Sequence, residues 1–326
     1  MEKSDLLKFY DLLEQCNDIC IASHLNPDGD NLGSLSALYH YLLLLGKKVT
    51  WYGEDNVPDD FLFLPGIDKR EKNINDAYEL FITLDCADLN RLGKGQEIFK
   101  NSRYTVNIDH HKTNTNFAQI NLVEEISSTG ELLYQILEQG KLALNQNIAT
   151  GLFTAISSDT GSFKYDSTTS DTFLAAGRLM DYGINLNMIS VNLYQKRSLP
   201  KTKILIDAME KVEYLCDGKI GIVEVPLSLI ELHNGKPSDT EGIIEFLRDV
   251  DSVELAILLK ERNQAVKVSI RTKSYINAIP LVTPFGGGGH VRAAGATIPG
   301  TLQEVKEKIK KIALEEFDHA RNPNCK

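Results

Sequence analysis

Four places in the first half of the chain set aspartate or histidine directly behind an apolar run, and chemistry is expected there. The first is His24-Leu25-Asn26-Pro27-Asp28-Gly29-Asp30, behind the run 18–23, and the second is Asp85, behind LFITL at 80–84. The third is Asp109-His110-His111, behind YTVNI at 104–108, and the fourth is Asp159 in Ser158-Asp159-Thr160-Gly161, behind an apolar helical stretch. Imidazole and carboxylate together favour a hard or borderline divalent metal, Mn, Zn or Fe rather than Ca. His24, Asp28, Asp30, Asp85, His110 and Asp159 are more donors than one ion needs; two ions about 3.5–4 Å apart, sharing a carboxylate, would use them all. Such a pair lowers the pKa of water, clamps a phosphate oxygen and stabilises both attacking and leaving oxygens. A single aspartate at a strand end is more often a helix cap or turn former. Asp28-Gly29-Asp30 alone could be a turn, and adjacent histidines alone could be surface residues. The metal reading rests on finding all four patterns in one domain.

The elements needed to bring these residues together are legible as alternating strands and helices, the pattern of a parallel α/β sheet. Strands are expected at 18–23, 48–52, 80–84 and 104–108, and helices at 32–45, 130–139 and 147–158. In an open parallel sheet the carboxyl ends of the strands line one edge, where ligands bind. Three strand ends and one helix end therefore deliver the donors to one place. The second half changes character: strands at 211–215, 220–225, 253–260 and 265–272, joined by turns such as Asp217-Gly218, precede a closing helix at 302–317. At 326 residues two domains are expected. They are read as 1–194 and 209–326, with a linker over 195–208 (the polar stretch QKRSLPKTK lies there) and a cleft between the domains.

The second domain holds a glycine run, Gly286-Gly287-Gly288-Gly289-His290, leading into Val291-Arg292-Ala293-Ala294-Gly295. Dense glycine lets backbone approach a ligand closely, and its amides can form an anion-binding concavity. The bland alternative is a flexible turn. No G-x-G-x-x-G or Walker-type loop follows any expected strand. The formal net charge of −10 argues against a broad, stable grip on duplex DNA, though not against an anion held at a local site. A hydrophobic content of 42% with 25% charged residues is that of an ordinary globular chain. No stretch approaches the roughly 20 apolar residues that cross a bilayer, and Met1-Glu2-Lys3-Ser4-Asp5 does not begin a signal peptide. A cytoplasmic protein without a membrane partner is expected. The five cysteines are irregularly spaced; Cys16 and Cys20 could form half of a zinc site, but buried, reduced thiols fit better.

These blocks resemble the DHH phosphoesterases. HLNPDGDNLGS (24–34), Asp85 with Asp88 and Arg91-Leu92-Gly93, Asp109-His110-His111, and SDTGSF (158–163) are similar to the family's four motifs, in the family's order. GGGH-x-x-A-A-G, together with Ser269-Ile270-Arg271, resembles the DHH-associated C-terminal domain. The resemblance implies a parallel-sheet α/β DHH domain with helices on both faces and a smaller mixed-sheet α/β domain. It implies one metal on His24, Asp28 and Asp85 and a second on Asp30, Asp85, His110 and Asp159, with Asp85 bridging and Mn²⁺ the favoured ion. His111 would face the scissile phosphate, and Asp109 would orient the histidines. Ser269, Arg271, Gly287, Gly288, Gly289 and His290 would hold the far end of the substrate. Arg292 matches no fixed role.

Two such domains account for nearly the whole chain, as in the family's short nanoRNases, which also remove the 3′-phosphate of adenosine 3′,5′-bisphosphate. The expected substrates are therefore short RNA oligonucleotides, linear dinucleotides and adenosine 3′,5′-bisphosphate. Phosphodiesterases acting on cyclic di-AMP or its linear product pApA are the alternative. A catalytically silent nucleotide sensor is a remote one, because none of the six ligands is missing. A homodimer through the N-terminal domain is left open.

Overall fold

The first half of the chain builds a sheet whose central strands are buried on both faces. Its elements run α1 (Lys3–Gln15), β1 (Asp18–Ala22), α2 (Gly29–Leu44), β2 (Lys48–Tyr52), β3 (Arg70–Glu71), β4 (Leu80–Leu84), α3 (Gly95–Asn101), β5 (Tyr104–Asp109), β6 (Ile120–Val123), α4 (Thr129–Glu138), α5 (Gln146–Asp159), α6 (Ser170–Met180) and α7 (Leu186–Ser190). The computed structural model describes residues 2–140 and 143–321. It divides into two compact units, Met1–Lys196 and Arg197–Lys326.

The six strands of the first unit are ordered β3-β2-β1-β4-β5-β6, and every neighbouring pair is parallel. Alternation along β1 shows why both faces are covered. Ile19 and Ile21 join the main core, with Leu35 and Leu38 of α2, Leu132 and Ile136 of α4, and Leu152 and Ile156 of α5. Cys20 and Ala22 point the other way, into a smaller cluster with Phe81 and Phe99 of α3. Such two-sided burial is what near-continuous apolar strands require. α2 and α5 pack closely where Gly33 meets Gly151: a Cβ on Gly33 would lie 2.6 Å from the Gly151 carbonyl oxygen.

The second unit comprises α8 (Leu199–Met209), β7 (Glu213–Leu215), β8 (Ile220–Val225), α9 (Leu227–Leu232), α10 (Ile243–Arg248), β9 (Leu255–Arg262), β10 (Ala265–Thr272), β11 (Gly288–His290), β12 (Ala293–Pro299) and α11 (Leu302–Arg321). Its sheet order is β11-β12-β10-β9-β8-β7, antiparallel except for the β8–β9 pair. Leu255, Ile257 and Leu259 pack against Val305, Ile309, Ala313 and Phe317, an every-fourth-residue stripe on α11. Ala256 and Leu258 face the opposite layer, with Ile204, Ala208, Ile243 and Leu247.

Beyond the elements expected from sequence, the structure adds α1, β3, α3, β6, α6, α7, α9, α10, β11 and β12, and most of α8 falls in the segment expected as linker. The polar stretch 195–203 hid a helix start. The Ser198 side chain accepts from the Lys201 amide, Pro200 sits in the first turn, and Ile204 and Ala208 enter the core of the second unit. The units divide after Lys196, inside the segment expected as linker. No helix among the described residues is long and apolar enough to cross a membrane.

Candidate metal centre

Chain direction places the site. From β1 the chain winds outward through β2 to β3, and from β4 through β5 to β6, so β1 and β4 flank the switch point where open α/β sheets bind ligands. His24 follows β1, Asp85 follows β4, Asp109 ends β5 and His110 is the next residue. Asp85 turns out of its strand with φ 53°, a left-handed conformation that aspartate tolerates better than most residues. Asp28 caps α2, accepting from the Asn31 amide at 3.1 Å, and Asp30 lies in that helix's first turn. Gly29 lets this turn approach α5, because a Cβ there would lie 2.2 Å from Ser158 Oγ. Asp159, the last residue of α5, thereby comes to the same place.

Two donor sets result. His24 Nε2 lies 3.3 Å from Asp85 Oδ2 and 3.7 Å from Asp28 Oδ2. His110 Nε2 lies 3.7 Å from Asp30 Oδ2, 3.7 Å from Asp85 Oδ1 and 3.6 Å from Asp159 Oδ2. Asp85 thus offers one carboxylate oxygen to each set. Ligand atoms about 2.1 Å from a common ion stand roughly 3.0–3.4 Å apart, close to these separations. The histidine tautomers agree. His24 Nδ1 is 2.7 Å from the Leu25 carbonyl oxygen and His110 Nδ1 is 3.1 Å from that of Ile126. A carbonyl accepts only, so each Nδ1 donates, and a neutral ring then turns a bare Nε2 lone pair toward carboxylate oxygens. Lone pair facing carboxylate is repulsive until a cation lies between them, and the residues present fit divalent metal ions. His111 and Asp85 can also group with His110, but His111 is differently held: its Nδ1 is 2.8 Å from Asp109 Oδ1. Asn114 Nδ2 donates to the other Asp109 oxygen at 2.5 Å.

Electrostatics follow from this crowding of acid. Burial, then Asp85, Asp159 and Asp28, push the Asp30 carboxyl well above the usual range, although the Thr129 amide donates to it. Burial also raises Asp159, to about 6, with Asp85 and Asp28 adding to it and His110 opposing. Burial alone would raise Asp85 too, but His24, His111 and His110 outweigh it and hold that carboxyl low. Its hydrogen bond to Asp109 keeps the His111 imidazole above the usual range, against the effect of burial.

The structure gathers all six expected ligands, with His111 and Asp109 beside them. Sequence reading missed Thr129 and Asn114. Thr129 N donates to Asp30 Oδ2 at 2.7 Å, and Thr129 Oγ1 to Asp85 Oδ1 at 3.1 Å. A signal existed for Thr129: Ser128-Thr129-Gly130-Glu131 has the spacing of a capping box, which marks a helix start with free amides. Nothing comparable marks Asn114. Cys16 and Cys20 are buried and free, their thiols pushed up by burial, and they join none of the metal-competent groups among the described residues. Cys325 lies outside those residues.

In the second unit, cross-strand register places Arg271 opposite Ala293 and His290 opposite Ala293 on its other side. Ser269, Gly295 and Gly288 form the next row. Strands about 4.8 Å apart set Arg271 and His290 roughly 10 Å from each other, across small residues on one face of the sheet. Arg271 Nη2 also pairs with Glu245 Oε1 at 3.3 Å. The glycine run is an edge strand rather than a mobile turn. Cβ atoms on Gly287 and Gly289 would strike β12 carbonyl oxygens at 2.5 and 2.4 Å, whereas Gly288 faces open space. Backbone closeness at 287 and 289 is therefore to the neighbouring strand β12. Arg292 donates to the Ile276 carbonyl at 2.9 Å and its own carbonyl accepts from Thr272 N at 3.1 Å. It pins the segment after β10.

Comparison with known proteins agrees with this geometry. Residues 18–156 match the DHH family N-terminal domain, and residues 225–318 the DHHA1 domain. The chain is 30% identical over 312 residues to the bifunctional oligoribonuclease and PAP phosphatase NrnA of Thermus thermophilus, covering 93% of this chain and 91% of that one. It is 24% identical to the protein of the same name from Bacillus subtilis, covering 91% and 93%. Its fold is similar to that of an exopolyphosphatase-related protein from Bacteroides fragilis, with TM-score 0.92, 23% identity and 98% of each chain covered.

Proposed function

Because the chain belongs to the DHH family, we propose that it is a divalent-metal phosphoesterase that cleaves short oligoribonucleotides and linear dinucleotides to mononucleotides and dephosphorylates adenosine 3′,5′-bisphosphate. The observation that carries this reading is Asp85, whose two oxygens face different histidine-bearing donor sets. Two divalent ions held there, Mn²⁺ by preference, would supply Lewis acidity: they lower the pKa of water and neutralise charge building on phosphorus. His24, Asp28 and Asp85 would hold one ion, and Asp30, Asp85, His110 and Asp159 the other.

The chain's own groups do the rest. His111, tethered through Nδ1 to Asp109, presents Nε2 as a donor to the scissile phosphate. Asp109 fixes that ring and, with Asn114, limits its rotation. Arg271, whose planar fork suits two phosphate oxygens, would join Ser269, Gly288 and His290 in holding the substrate's far phosphate or base. Gly287 and Gly289 shape the edge strand that carries His290. The acidic charge of the chain disfavours duplex DNA as a partner.

The test is a side-by-side assay of purified protein, with Mn²⁺ and with EDTA, on pApA, other dinucleotides, longer RNA and adenosine 3′,5′-bisphosphate. Metal-dependent turnover of dinucleotides and of the bisphosphate, with slower cleavage of longer RNA, is expected. No metal-dependent hydrolysis of any of them would overturn the proposal.

A further inference from the structure

We infer that Thr129 is a positioning residue of the metal centre: its hydroxyl sets the rotation of the Asp85 carboxylate so that one oxygen serves each donor set. The inference rests on the metal reading above and extends it to a residue outside the six ligands. Thr129 is fully buried at the start of α4. Its Oγ1 donates to Asp85 Oδ1 at 3.1 Å, the same oxygen that stands 3.7 Å from His110 Nε2. The other oxygen, Oδ2, faces His24. Its backbone amide meanwhile donates to Asp30 Oδ2 at 2.7 Å, the oxygen that faces His110. One residue thus holds two carboxylates of the His110 set.

The hydroxyl is not needed to start the helix. Ser128 does that, its Oγ accepting from the Glu131 amide at 3.0 Å. A carboxylate free to turn about its Cβ–Cγ bond can close both oxygens on one ion and abandon the other. A fixed neutral donor on Oδ1 opposes that turn without adding charge. Groups that orient metal ligands in this way typically change metal affinity by about 10–100-fold when removed.

The experiment compares wild type, Thr129→Val, Thr129→Ser and Thr129→Ala. Mn²⁺ binding is followed by calorimetry and by low-temperature electron paramagnetic resonance, in which two ions sharing a carboxylate give an exchange-coupled spectrum. Thr129→Val keeps the side-chain shape and removes the donor. It should bind the first ion normally and the second roughly 10–100-fold more weakly, with the coupled spectrum lost at two equivalents of Mn²⁺. Thr129→Ser should restore both. Should Thr129→Val fail to fold, the Ser and Ala variants, which differ by one hydroxyl, read the same difference. Two ions bound at wild-type affinity by folded Thr129→Val, or Ser as weak as Ala, would overturn the inference. Intact two-ion binding by a wild type that hydrolyses nothing would instead retire the proposed function and leave this role of Thr129 standing.

Discussion

Replacing Asp159 with asparagine should stabilise the metal-free protein and weaken the metal-loaded one. The folded-state pKa of Asp159 is raised from 3.8 to about 6, chiefly by burial. A raised carboxyl favours folding below pH 3.8, and that contribution is lost as pH rises through about 6. At pH 7.5 the ionised side chain therefore opposes folding. The shift is worth at most ~3 kcal/mol at 1.36 kcal/mol per pH unit. The side chain is 37% exposed, so solvent screening cuts this to about 1–1.5 kcal/mol. For a domain of this size that is roughly 2–6 °C in Tm. Thermal melts in EDTA at pH 7.5 should show Asp159→Asn melting higher, with the gap closing at pH 4, where the wild-type carboxyl is already protonated. Saturating Mn²⁺ should reverse the order, since binding at 100 times Kd adds about 2.7 kcal/mol to wild type and less to a variant short of one ligand. A metal-free variant that melts lower than wild type at pH 7.5, or a gap that persists unchanged at pH 4, would refute the reasoning.

Three further outcomes are expected. Arg271→Ala should raise KM for dinucleotides and spare a small artificial phosphodiester, as removal of remote binding predicts; equal losses on both, read from initial rates, would argue against a distal grip. Gly151→Ala should destabilise by about 1–2 kcal/mol, because its Cβ would lie 2.6 Å from the Gly33 carbonyl oxygen. Gly177→Ala, in open space on α6, should stabilise by about 0.5–1 kcal/mol through helix propensity. Denaturant melts giving the two changes the same sign would contradict the packing described for α2 and α5.

The donors were legible because each stands beside a strong local signal. Apolar β1, β4 and β5 announce their own ends, and donors stand at or within two residues of them. β6 was hidden because Ile120–Val123 is four residues long and alternates only twice. α8 was hidden because its first turn continues a polar stretch through Lys201, Thr202 and Lys203, and its buried apolar residues begin only at Ile204. Asn114 could not be found from sequence, since its hydrogen bond to Asp109 depends on the path of the turn that follows β5. Arg292 looked like a loose cation for the same reason: its acceptor, the Ile276 carbonyl, is 16 residues away in sequence.

The central claim is that Asp85 serves two metal-binding donor sets at once and that hydrolysis depends on it. The most direct test is the initial rate of Mn²⁺-dependent hydrolysis of a labelled dinucleotide by wild type and Asp85→Ala, with folding of both checked by circular dichroism. A folded Asp85→Ala is expected to lose the metal-dependent rate altogether. A folded Asp85→Ala with the full wild-type rate would contradict that claim.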